Sequence, residues 1–156
     1  MGEEADAYLE ARKSITRTVN NPISQLLLNH SHLTPVQLET LLADSISNEK
    51  ALKKAQRRLF RPSGSVTSRG SYNRTLIQAQ NNVIRSIYTI LLIGYVGLFD
   101  TSGLQPFLEL ADNLQTYVEE LKTQQPTETL ALQQLETRLW DTVSALARRQ
   151  SFKDTL

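Results

Sequence analysis

The sequence predicts an all-α protein: a compact helical domain with a long central apolar helix, followed by a C-terminal antiparallel helical hairpin. Three observations predict it. Apolar residues recur at spacings of three and four almost throughout, alternation of β-branched residues is nearly absent, and only 6 Gly and 5 Pro interrupt the 156 residues. The expected organisation is a helical domain over 1–103, with a basic surface at 50–85, and the hairpin over 104–156. A chain of this length buries roughly two-thirds of its unfolded surface, enough for a real core.

The first helix is expected from Glu4 to Val19. It stops before Asn20-Asn21-Pro22, because a residue preceding Pro disfavours helical geometry. A short apolar turn, Ile23 to Leu28, follows. Thr34-Pro35-Val36-Gln37 then supplies a capping residue, Pro at the first helical position and a Gln able to complete a capping box. It is the clearest helix start in the chain. The helix it opens is expected to bury Val36, Leu38, Leu41, Leu42 and Ile46. Ser47 or Asn48 can cap the next helix, Glu49 to Phe60, whose apolar face is Leu52, Ala55 and Leu59. Lys50, Lys54, Arg57, Arg58 and Arg61 fall at offsets 0, 4, 7, 8 and 11, a stripe along its other side.

Arg61 to Gly70, RPSGSVTSRG, reads as a Ser/Gly/Pro loop with basic ends. Ser71 then opens a long helix reaching Phe99. It is amphipathic at first and apolar on all sides later, which predicts that its second half lies at the centre of the fold. The apolar run Ile87 to Phe99 has 13 residues. A membrane span needs about 20, so a buried helix is the reading. Gly94 and Gly97 either let another helix approach or mark the helix end. After the break at Asp100-Thr101-Ser102-Gly103 come two helices, Pro106 to Lys122 and Thr127 to Gln150, whose short Gln-Gln-Pro link favours antiparallel packing. Phe107, Ala111, Leu114, Val118 and Leu121 on one arm, and Leu132, Leu135, Leu139 and Leu146 on the other, form a coiled-coil-like seam. Trp140 and Tyr117 read as core or interface anchors.

Charge carries the functional information. The chain has a net charge of only +1, yet nine of its 17 Lys and Arg and none of its 16 Asp and Glu lie between Lys50 and Phe99. The nine are Lys50, Lys53, Lys54, Arg57, Arg58, Arg61, Arg69, Arg74 and Arg85. Such separation costs self-repulsion unless an anion is bound, so it points to a polyanionic partner. Ser63, Gly64, Ser65, Thr67, Ser68, Gly70 and Ser71 add hydroxyls and open backbone N–H groups. The last two sit at a helix N-terminus that attracts anions. Arg69, Asn73, Arg74 and Gln78 follow, and the bidentate geometry of Arg, Asn and Gln matches guanine and adenine edges. Tyr72 is placed to stack on a base. A solvated basic surface beside an open loop is the plainer account of the same charges.

The stretch Val66-Thr67-Ser68-Arg69-Gly70-Ser71-Tyr72-Asn73-Arg74-Thr75-Leu76 resembles the entry to the recognition helix of helix-turn-helix DNA-binding domains. The resemblance covers about 34–83. It implies that Arg69, Ser71, Tyr72, Asn73, Arg74 and Gln78 enter a major groove. The family joins its two helices by 3 to 4 residues, whereas Arg61 to Gly70 is longer. A longer loop, a small wing and an RNA-binding arrangement outside the family fit equally well.

Enzymatic signals are poor. His30 and His32 form an H-x-H pair, but two His do not complete a three- or four-ligand metal site, so no metal is expected. Asp100, Thr101 and Ser102 read as caps. There is no P-loop, dinucleotide fingerprint or metalloprotease helix, and no cofactor is expected. With no Cys and an acidic start lacking an apolar leader, the expected location is the cytoplasm, or the nucleus in a eukaryote. The leading expectation is a non-enzymatic nucleic-acid-binding protein, duplex DNA slightly favoured over RNA, with a homodimer through 104–150 as a further expectation. The alternative is a helical adaptor or assembly protein that binds an acidic partner. A membrane-surface protein using Ile87 to Phe99 is third.

Overall fold

The structure, a computed structural model, describes residues 2–49, 61, 67–97, 105–124 and 127–148. Among these it is all-α, with six helices and no strand: α1 (Gly2–Val19), α2 (Pro22–Asn29), α3 (Pro35–Glu49), α4 (Arg69–Tyr95), α5 (Gln105–Gln124) and α6 (Glu128–Arg148). The chain divides into two compact units, Met1–Ser86 and Ile87–Leu156, so the boundary falls within α4 rather than near residue 103. The expected helix Glu49 to Phe60 lies outside the described residues beyond Glu49, which ends α3. Also outside are Pro62 to Val66 of the loop and the break at Asp100 to Gly103.

In the first unit, Tyr8, Ala11, Ile15 and Val19 follow 3, 4, 4 spacing, so α1 presents one apolar stripe. Ala11, Ile15, Val19 and Ala43 form the buried cluster, with Leu38, Leu42 and Ile46 of α3 packed against it. Ile15 and Ala43 are wholly enclosed, and burying an aliphatic side chain contributes about 1.5–3 kcal/mol. Val36, expected in this core, is instead exposed. Thr40 and Ser47 are the buried polar residues of α3. Each hydroxyl donates to the carbonyl four residues back, at 2.7 Å to Val36 and 2.7 Å to Ala43, so neither is left unsatisfied.

The connections follow from caps. Asn21 Oδ1 accepts from Ile23 N at 2.9 Å and Pro22 occupies the first position, so Pro22–Asn29 is a helix of 8 residues and not the short turn that the apolar run suggests. Gln25 of α2 donates through Nε2 to the Val19 carbonyl at 2.6 Å, closing the C-terminal end of α1. The capping box at Thr34 is complete. Gln37 N donates to Thr34 Oγ1 at 3.2 Å, and Thr34 N donates to Gln37 Oε1 at 3.1 Å.

The helix α4 has 27 residues and starts two residues earlier than Ser71, because Ser68 acts as its cap: Ser68 Oγ accepts from Ser71 N at 3.2 Å. It ends at Tyr95, and Gly97 just beyond has a φ of 74°, the left-handed geometry that favours glycine after a helix. The second half does not lie at the centre of a core. Ile84, Ile87, Tyr88, Ile90, Leu91, Leu92 and Tyr95 are all exposed, Tyr95 at 90%. A helix apolar on every side has no preferred inward face, so hydropathy alone does not direct its burial. Space around Gly94 is open, with nothing within 4 Å of where a Cβ would stand, so the close-approach reading of this glycine is not realised.

In the second unit α5 packs against α6, an antiparallel hairpin given their short link. Thr127 caps α6, its Oγ1 accepting from Leu130 N at 3.3 Å. Leu114, Ala131 and Leu135 are buried along the seam, and Leu132 and Leu139 are half-buried. Ala111, expected in the seam, is exposed. The side chains of Phe107, Tyr117, Val118, Leu121 and Leu146 lie outside the described residues. Trp140 is 59% exposed, so it does not anchor the hairpin core.

Candidate nucleic-acid interface

One face of α4 fixes it to the first unit. Tyr72 and Ala79, at offsets 0 and 7, are buried, and the half-buried Leu76 lies between them. Tyr72 Oη donates to the Thr40 carbonyl of α3 at 3.4 Å, a long bond. One turn beyond Ala79, Asn82 Nδ2 donates to the His32 carbonyl at 2.8 Å and to Gln37 Oε1 at 3.3 Å. The capping box of α3 thus also holds α4. Neither Asn82 nor this tie is visible in the sequence, because the partners lie 45 to 50 residues apart.

A flank of α4, about 120° around the axis from Tyr72 and Ala79, carries the candidate contacts. At 100° per residue, Ser71, Arg74, Gln78 and Arg85 fall on one side of α4, and all four are exposed. Arg74 and Arg85 are separated by about 16 Å of helix. Arg69 and Asn73 are also exposed but lie about 140° around the axis, on a separate edge. The expected cluster is therefore divided into a stripe of four and an edge of two. The absence of Asp and Glu from α4 leaves the stripe without carboxylates of its own helix.

Two expected contacts are corrected. Tyr72 is only 3% exposed and is the anchor of α4, so it is not available to stack on a base. Its apolar spacing with Leu76, Ala79 and Val83 was the signal for that role. Arg61 is enclosed as well: its side chain is 9% exposed and its Nε lies 3.9 Å from Glu39 Oε2 of α3. With Glu39 beside it and little of its side chain exposed, Arg61 is not presented to a ligand. Lys50, Lys53, Lys54, Arg57 and Arg58 lie outside the described residues.

Other polar candidates have local roles. The His30 N–H donates to the Leu27 carbonyl at 3.2 Å at the end of α2, and the His32 carbonyl receives Asn82. Among the described residues no three His, Asp or Glu side chains converge as a metal site would require. No helix among them is long and apolar enough to cross a membrane.

Comparison with known proteins finds no match. Neither a family model, nor a curated protein, nor a solved structure is similar enough to this chain to inform its function.

Proposed function

We propose that this chain is a non-enzymatic nucleic-acid-binding protein, a DNA-binding regulator or a small helical subunit of a nucleoprotein complex, that meets polyphosphate along the exposed side of α4. One observation carries the reading: Ser71, Arg74, Gln78 and Arg85 point outward from a helix whose other side is tied to α3 and which contains no acid. Such a helix presents cations at fixed spacing without first having to order them. In this reading Ser71, in the first turn, contacts phosphate through its hydroxyl. Arg74 and Gln78 have the forked geometry that reads base edges, and Arg85 neutralises backbone charge. Arg69 and Asn73 meet a second strand or flanking phosphates. The remaining cations of the acid-free segment raise the local potential and the rate of encounter. Duplex DNA is favoured over RNA because an α-helix fits its major groove.

Titration of the full chain against duplex DNA, single strands and structured RNA at two salt concentrations tests the proposal. On duplex the logarithm of the binding constant should fall with that of salt by about 0.9 per neutralised phosphate. A flat salt response contradicts polyphosphate binding. The second reading, a helical assembly protein with an acidic partner, draws on the same cations and on the exposed Trp140 and Val143 of α6. It requires that the partner be recovered after nuclease treatment.

A further inference from the structure

The largest feature that nucleic-acid binding does not use is the apolar second half of α4. Ile77, Asn81, Ile84, Tyr88, Leu91 and Tyr95 follow one another at spacings of 4, 3, 4, 3 and 4, and all six are exposed. This is the seam of a two-stranded coiled coil. It lies on the side of α4 opposite Tyr72 and Ala79, so whatever covers it leaves the anchoring to α3 intact. Ile87 and Leu92 flank the seam and are 52% and 61% exposed. Along the seam Ile77, Ile84, Tyr88, Leu91 and Tyr95 are 56%, 48%, 67%, 59% and 90% exposed, a contiguous apolar stripe of the kind that marks an interaction surface.

We infer that this seam is a self-association surface, on which α4 of a second copy of the chain packs side by side and in the same direction. Charge selects the occupant. From Ser86 to Tyr95 there is no Asp, Glu, Lys, Arg or His, so the surface offers nothing to prefer an acidic or a basic partner, and it matches another neutral surface of the same spacing. Register selects the direction. A parallel pair sets Asn81 against its own counterpart, where the two amides satisfy each other and penalise slippage, the established use of a lone polar residue in such a seam. The same pairing sets Arg85 beside Gln80 of the second copy instead of beside a like charge. An antiparallel pair brings the two Arg85 side chains together at the centre. Gln78 and Arg85 border this seam, so self-association and the proposed nucleic-acid contact share that edge of α4.

Sedimentation equilibrium of the full chain, with positional cross-linking, tests it. The expected result is a dimer of twice 17.6 kDa. Leu91→Glu should raise the dimer dissociation constant at least about tenfold, as loss of a buried anchor does, with helix content by circular dichroism unchanged. The chain has no Cys, so single thiols report geometry directly. Leu91→Cys should form a disulfide-linked dimer on mild oxidation, while Ser14→Cys on α1 should not. A chain that stays monomeric at every concentration overturns the inference. So does a dimer that survives Leu91→Glu, which places the contact elsewhere, such as in the hairpin. Cross-linking through Ile84→Cys but not Leu91→Cys shows an antiparallel pair and contradicts the stated geometry. A monomer that floats with phosphatidylserine vesicles, and loses this with Leu91→Glu, assigns the surface to lipid instead.

Discussion

The two halves of α4 contrast sharply although they belong to one unbroken helix. From Arg69 to Ser86 the helix is mostly polar, yet Tyr72, Ala79 and Asn82 fasten it to α3 and the turn before it. From Ile87 to Tyr95 it is almost wholly apolar, yet exposed. Position in the fold follows from a directional set of contacts, not from mean hydropathy. A few residues on one face, with a hydrogen bond at each end, hold the polar half. An apolar surface without such a set stays available for association.

Mutations sharpen the contrast in graded steps. The largest effect is expected at the anchor: Tyr72→Ala should lower the stability of the first unit by about 3–5 kcal/mol, as for other buried aromatic truncations. Ile90→Ala, in the apolar half and away from the seam, should cost less than about 1 kcal/mol. Urea unfolding of both variants measures the difference, and equal losses would remove the distinction between the halves. Next comes Arg61→Ala, which removes the enclosed cation beside Glu39 and should cost about 2 kcal/mol. Arg74→Ala, at an exposed site, should stay within about 0.5 kcal/mol in the same assay. Smaller still is Thr34→Ala, which removes one bond of the capping box and should cost about 1 kcal/mol by thermal melting.

The sequence shows the helical class and the helix starts, because both are local. Thr34 and Gln37 are three residues apart, and their reciprocal bonds depend on nothing distant. The Asn21-Pro22 pair is an equally local signal for α2, although the apolar run that follows it is short. What escaped is tertiary. Arg61 and Arg74 look alike in the chain, and only the fold brings Glu39, 22 residues upstream, next to the first of them. Tyr72 was legible in principle, since it continues the line of Leu76, Ala79 and Val83, but its polar neighbours Asn73 and Arg74 suggested a contact surface. The exposure of Leu91 and Tyr95 was not legible, because periodicity reports a face only when the other face is polar.

The central claim is that cations of the acid-free segment act according to where α4 presents them, not according to their number. The salt dependence of duplex DNA binding tests it most directly, comparing Arg85→Ala with the charge-neutral pair Arg61→Met and Glu39→Leu. Arg85→Ala should reduce the log-log slope by about 1, while the double variant, which removes an enclosed cation and the carboxylate beside it together, should leave the slope unchanged. Equal slopes for wild type and Arg85→Ala, or a loss in the double variant alone, would contradict the account.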